Sequence, residues 1–352
     1  MNNSSTSNSD LKRFAWKIIW RVLLLAGLCL CIFFIPLKRT YFTGLMKYSD
    51  YSKISWIENK LNETQTLDST VVFVGSSICL NGINDSLLNA LDTTSTEYLN
   101  LGMTHTCFAI IDALLEDMLE HRKLKPKKVM LCFKGNAMAR NIHNMYPAYA
   151  DPSLILSSAA QSNMLYFPSV LKRVSWNVHY LTRSFKLPEE DFSKSFDSNY
   201  GFKPLNKEPT EKVEKLYLSQ RKGSEANFNA ILSENEGNPR SAKTELILAY
   251  ADISENVNYQ RKMFERAAKR LDDHGIPYDI ILYPNLVSAR MEKPDIMANY
   301  IKRTFTGIDY SQHRVITAND TAFANARYYN DMNHMNPDGA NLLTRYIYNQ
   351  LY

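Results

Sequence analysis

Cysteine is scarce and unpaired in this chain: five among 352 residues, with Cys29 and Cys31 inside an apolar stretch and only Cys79, Cys107 and Cys132 beyond it. An odd set without paired spacing excludes a disulfide framework and a cysteine-built zinc site. Cys132, within a strand-like run, reads as core packing. Glycine is equally sparse, twelve in all, and neither a phosphate-cradling nor a dinucleotide-binding glycine pattern occurs. No metal-ligand spacing stands out, so neither a metal nor a cofactor is expected. Charge of one sign is also lacking outside the leader. The net +5 resides almost wholly in residues 1–40, which hold six Lys or Arg against one Asp. The near-neutral remainder gives no ground for a nucleic-acid partner. The one basic cluster, Arg122 to Lys128, reads as a solvated loop between a helix and a strand.

What is present begins with an uncharged run of sixteen residues, Val22 to Leu37, which spans roughly 24 Å as a helix and is extended by Ile18 to Trp20. Lys12, Arg13, Lys17 and Arg21 precede it, and only Lys38 and Arg39 follow closely, so the charge bias places the N-terminus in the cytoplasm. No small-x-small cleavage site follows the run, which favours an uncleaved anchor over a signal peptide. The organisation expected is a cytoplasmic tail (1–17), a transmembrane anchor (18–37), a juxtamembrane linker (38–69) and an extracytoplasmic domain (70–352) at the cell membrane.

That domain alternates strands and helices. Val71 to Val74 is a β-branched and aromatic run of the kind buried on both faces of a parallel sheet. Asp85 to Leu91 follows as a helix, Tyr98 to Leu101 as a strand, Cys107 to His121 as an amphipathic helix and Val129 to Phe133 as a strand. Asp151 to Tyr180 reads as helical. The polar stretch 187–244 reads as irregular, and an insertion or lid is expected over about 140–250. A helix from Val257 to His274, closed by Gly275, precedes a strand at Tyr278 to Leu282. A helix from Pro294 to Phe305, a strand at His313 to Thr317 and a last helix from Pro337 to Gln350 complete the pattern. Such alternation predicts an α/β fold, a three-layer α/β/α sandwich with a mostly parallel sheet.

Sites in such folds lie at the carboxyl ends of strands. Four short stretches fall there: Gly75-Ser76-Ser77, Asn100 to His105, Lys134-Gly135-Asn136-Ala137, and Asp331-Met332-Asn333-His334. Ser77, His334 and Asp331 are the three group types that make a hydroxyl nucleophilic near neutral pH: an oxygen to attack, an imidazole to take its proton, and a carboxylate to orient the imidazole. Read singly, each has a plainer role. Ser77 caps a helix, Asp331 and Asn136 are turn residues, and His334 packs on the last helix. Their joint occurrence in this chain order carries the catalytic reading. Tyr146, Tyr149, Tyr166, Trp176 and Tyr180 are read as packing rather than as a sugar-stacking surface.

At these residues the chain resembles the SGNH (GDSL-type) hydrolase superfamily, over most of 70–352 apart from the insertion. The first block of that family, Gly-Asp-Ser, is similar to Gly75-Ser76-Ser77, with a departure at Ser76. Its third, Gly-x-Asn-Asp, is matched in part by Gly135-Asn136-Ala137, and its fifth, Asp-x-x-His before a helix, by Asp331 to His334. The second block runs from an asparagine to an oxyanion glycine about five residues on. Here that spacing reaches His105, so either Gly102 or His105 supplies the donor. The resemblance implies Ser77 as nucleophile, His334 as base, Asp331 as orienting group, and Asn136 with Gly102 or His105 around the oxyanion. With an anchor in front, the chain looks most like the branch that handles acyl groups on envelope polymers, similar to D-alanyl transfer and alginate O-acetylation proteins. The expected partners are then an acyl donor, an envelope polysaccharide and a multi-pass membrane acyltransferase. The alternative is a catalytically inactive module of the same fold that binds a polymer or membrane partner.

Overall fold

Strand β1 (Thr70–Gly75) is buried at every position, as its continuous apolar run predicts. In the computed structural model, which describes residues 8–35, 49–104, 106–133, 167–183, 199–219, 254–290, 298–299, 302, 307–318 and 320–351, β1 lies inside one five-stranded sheet. The other strands are β2 (Glu97–Asn100), β3 (Lys128–Phe133), β4 (Tyr278–Leu282) and β5 (Val315–Thr317). All are parallel, in the order β2-β1-β3-β4-β5. The chain is therefore α/β, and the strand order reverses beside β1, where side chains at strand ends can converge.

The helices are α1 (Asn8–Phe33), α2 (Ser49–Glu63), α3 (Ser77–Gly82), α4 (Asp85–Leu91), α5 (Phe108–Glu116), α6 (Phe167–Arg183), α7 (residues 210–219), α8 (Ser254–Asp273), α9 (Leu286–Arg290) and α10 (Pro337–Leu351). Alternate residues of the sheet enter two separate cores. Val72, Val74, Val129, Leu131 and Ile280 pack with α2, α5 and α8. Val71, Phe73, Met130, Cys132 and Ile281 pack with α3, α9 and α10. Each such side chain, fully buried, contributes about 1.5–3 kcal/mol.

Local chemistry sets several boundaries. Asn84 caps α4 by accepting the Leu87 N–H at 3.0 Å, satisfying one of the orphan donors of a first turn. Gly275 takes the left-handed conformation (φ +66°) that closes α8, and its N–H and that of Ile276 return to Asp272 and Leu271.

Elsewhere the structure departs from expectation. Residues 38–69, expected as a linker, contain α2, whose Ile54, Trp56, Ile57 and Leu61 are buried in the core. The helix expected to run through His121 widens after Glu116 into a π-turn, Asp117–His121, with Arg122 N–H reaching Asp117 O at 2.9 Å. Strand β5 starts at Val315 rather than His313, and His313 stacks on Tyr278, ring centroids 3.6 Å apart. The short helix α9 had no counterpart in the sequence reading. The expected helix at 294–305 and residues 151–166 fall largely or wholly outside the described residues.

Helix α1 runs from Asn8 rather than Ile18 and ends at Phe33. Its segment Lys12–Phe33, 22 residues and scarcely buried, spans about 33 Å, long and apolar enough to cross a membrane.

Candidate active site

The turn from β1 into α3 brings Ser77 to the carboxyl edge of the sheet. Gly75 must be glycine: its Cα faces the Cys132 carbonyl on β3 so closely that a Cβ would collide with backbone. Ser76, extended, is the residue before the helix and makes no side-chain cap. Its carbonyl instead accepts the N–H groups of Cys79 and Leu80. Ser77 is thus the first helical residue rather than a cap, and its hydroxyl is spent elsewhere: Ser77 Oγ lies 2.8 Å from His334 Nε2.

His334 is presented by a tight loop before α10. Tyr329 and Met335 form an antiparallel bridge, and Asn330 N–H donates to His334 O at 2.8 Å. Inside the loop, Asp331 Oδ1 accepts the N–H groups of Asn333 (2.7 Å) and His334 (2.8 Å), an Asx turn that leaves the second oxygen free. Asp331 Oδ2 then meets His334 Nδ1 at 2.9 Å. Asn336, fully buried, anchors the loop to α10 by donating to Arg327 O and accepting the Gly339 N–H. Gly339 permits this because a Cβ there would strike the Tyr328 carbonyl.

Serine, histidine and aspartate therefore form one hydrogen-bonded relay across 257 residues of sequence separation. Ser77 is only 7% exposed, whereas the His334 and Asp331 side chains keep 26% and 37% of their surface, so the serine is enclosed and the imidazole rim is reachable. Burial pushes the Asp331 carboxyl up, but the His334 hydrogen bond and charge, with the Asn333 and His334 N–H groups, outweigh it and hold the carboxyl below its usual range. Asp331 stays a carboxylate wherever the protein is folded near neutrality, as an imidazole-orienting group must.

The second block is built differently from expectation. Gly102 lies beside the site, yet its N–H donates to Asn100 Oδ1 at 2.8 Å, so this donor is already committed. The Met103 N–H is likewise committed, to Gly75 O. His105 and the whole third block, Asn136 included, lie outside the described residues.

Three residues organise this edge: Asn100, which the sequence places at the start of the second block, and Asp85 and Lys53, which it does not single out. Asn100, fully buried, donates from its side chain to Cys79 O and Ile83 O, which ties the end of β2 to the helix carrying Ser77. Asp85 accepts the N–H groups of Asn100 and Gly201 (both 2.7 Å) and of Phe202 (3.1 Å). Lys53, on α2, donates to Asn100 O and Gly201 O at 2.7 Å each. Part of the expected insertion, around Gly201, is thus locked against the site rather than hanging over it. Burial pushes the Lys53 ammonium down to about 7, with the Asp85 charge partly offsetting it, and pushes the Asp85 carboxyl up. No local pattern announces this cluster, since its members are far apart in sequence.

Asp85→Ala strips the acceptor from four backbone donors, those of Ser86, Asn100, Gly201 and Phe202, and removes a charge that favours the Lys53 ammonium. Leaving a buried donor unsatisfied costs about 1–3 kcal/mol, and several together are a large share of an ordinary folding free energy of about 5–15 kcal/mol. The expected outcome is a marked loss of thermal stability in the detergent-solubilised full chain, read by circular dichroism. An unchanged unfolding temperature would show the cluster to be energetically idle.

Among the described residues no group of three or more His, Cys, Asp or Glu side chains is placed to hold a metal ion. No protein-family model matches this chain, and no curated protein matches it in sequence.

Proposed function

We propose that the protein is a membrane-anchored serine O-acyltransferase or esterase of the SGNH type. Its domain would lie outside the cytoplasmic membrane, moving an acyl group, acetyl in the first instance, on or off an envelope polysaccharide. The observation that carries this reading is the relay Ser77 Oγ to His334 Nε2 (2.8 Å) and His334 Nδ1 to Asp331 Oδ2 (2.9 Å). The parallel sheet with separate cores on its two faces is what a three-layer α/β/α sandwich of that superfamily requires. The apolar helix α1, with its basic N-terminal flank, supports an N-in, single-pass anchor.

In this mechanism Ser77 Oγ attacks the ester carbonyl while His334 Nε2 takes its proton, and Asp331 stabilises the resulting imidazolium. The tetrahedral oxyanion is met by the Ser77 N–H at the start of α3. Because the Gly102 N–H is held by Asn100, the remaining donors fall to His105 and to the Asn136 amide, each typically worth about 10²–10³ in rate. Collapse returns the proton from His334 to the leaving oxygen and leaves an acyl-serine. Water or a sugar hydroxyl, activated by the same imidazole, then resolves it. A multi-pass membrane acyltransferase is the proposed source of acyl groups.

The rival reading, a binding module without activity, draws on the committed Gly102 N–H and on the departures at Ser76 and Ala137. The full chain in detergent, supplied with p-nitrophenyl acetate and soluble polysaccharide oligomers, separates the readings. Acetylated oligomer in the mass spectrum marks a transferase, and p-nitrophenol release without it marks an esterase. No release from folded protein marks the binding module.

A further inference from the structure

Helix α6 (Phe167–Arg183) is joined to the end of α1. The last carbonyls of a helix have no partner within it, and here α6 supplies them. Arg173 Nε donates to Phe33 O at 3.0 Å and sets its guanidinium over the Phe33 ring. Asn177 Nδ2 reaches the Ile32, Phe33 and Ile35 carbonyls. Arg173 and Asn177 are themselves buried, and a cation at a helix C-terminus is favourably placed against the helix dipole. On the inward side Val170 and Val174 pack on the core of the sheet domain. The helix is thus fixed to both bodies, at the point where α1 ends.

Its outer side exposes apolar side chains beside Ser175 and Thr182. Leu171, Val178 and Leu181 are 55%, 41% and 51% exposed; at about 100° per residue Leu171 and Val178 lie about 20° apart on the outer side, and Leu181, on the arc of Val170 and Val174, is exposed near the end of the helix. Among the described residues, every other exposed large hydrophobic belongs to α1 or to Phe34 just past it, except Leu218. Among the described residues of the domain, Leu218 apart, large apolar side chains are thus exposed only beside the anchor. The α6 sequence contains no Asp or Glu and, besides the buried Arg173, carries Lys172 and Arg183. A helix with an apolar stripe, basic residues and no acid is suited to the boundary between anionic headgroups and acyl chains.

We propose that α6 lies in that boundary of the membrane entered by α1, with Leu171, Val178 and Leu181 inserted among the lipids. Docked this way, α6 adds a second attachment and holds the carboxyl edge of the sheet at a fixed height and tilt over the bilayer, where a tether through α1 alone would leave the domain free to swing. The inference rests on α1 spanning the membrane and is independent of the chemistry at Ser77.

The test uses the full chain in vesicles of phosphatidylcholine and phosphatidylglycerol, carrying one environment-sensitive fluorophore at a time. The sites are native Cys31 in a Cys29→Ser background, and Leu181→Cys or Leu218→Cys in a Cys29→Ser, Cys31→Ser background. The other three cysteines are buried. Lipids bearing a quencher at shallow depth are expected to remove about half or more of the emission at Leu181 and to leave Leu218 nearly unchanged, the label depth expected of an interfacial helix. Quenching at Cys31, two residues from the end of α1 and so also at shallow depth, reports α1 insertion separately. Cys31 in lipid with Leu181 in water overturns the proposal alone. A blue-shifted but unquenched Leu181 label means that protein covers the stripe, and overturns it too. Cys31 in water removes both the anchor and the interfacial helix.

Discussion

Replacing Ser77 by alanine is expected to lower ester turnover by about 10⁴-fold or more while the protein remains folded, because the substitution removes the atom that forms the covalent bond. The structural cost is small. Ser77 makes one side-chain hydrogen bond, to His334, worth about 1 kcal/mol net, and neither the helix cap nor the Gly75 turn uses its hydroxyl. Circular dichroism and unfolding temperature should therefore match the parent within a few degrees. If Ser77→Ala keeps the parent rate, the relay is not catalytic, however well its distances suit the task.

Asp331→Asn is the second large effect and the more discriminating one. The asparagine carbonyl can still accept the Asn333 and His334 N–H groups that shape the loop, so the Asx turn survives. What changes is the contact with His334 Nδ1: a neutral amide neither stabilises the imidazolium nor enforces the tautomer that leaves Nε2 free to take a proton. In a serine-histidine-aspartate relay this costs about 10⁴ in rate. A variant with intact structure and near-parent rate would reduce Asp331 to a turn residue.

The same substitution has a pH signature. The Asp331 carboxyl is held below its unfolded value, so its contribution to stability is present above that value, about 3.9, and is lost as pH falls through the folded one. The parent should lose unfolding temperature below about pH 4 more steeply than Asp331→Asn does. Equal slopes would mean that the carboxylate gains nothing from its partners on folding.

How much of this could be read from the chain depends on the range of the interactions involved. Strands β1 and β4 and helix α4 are written in local patterns, and the structure places α4 at Asp85–Leu91 as expected. Ser77 is legible from a short motif at the end of an apolar run, and Asp331 and His334 from one just before the last helix. Helix α2 carries the signal too, since Ile54, Ile57 and Leu61 repeat at helical spacing, but Lys53, Ser55 and Glu58 between them make the segment look like a polar linker. Lys53 is polar in sequence and fully buried in the fold, a reversal that only its distant partners Asn100, Gly201 and Asp85 explain. Helix α9 is five residues long, too short to show a period. The commitment of the Gly102 N–H is set by where the Asn100 side chain turns, which no spacing encodes.

The central claim is that Ser77 is a nucleophile, and intact mass after rapid acid quench of the full chain with p-nitrophenyl acetate tests it most directly. The account predicts one added acetyl group, mapped to the peptide containing Ser77, present in the parent and absent from Ser77→Ala. A folded parent that carries no adduct at any time after mixing and releases no p-nitrophenol, or one acetylated equally in both proteins, would contradict it.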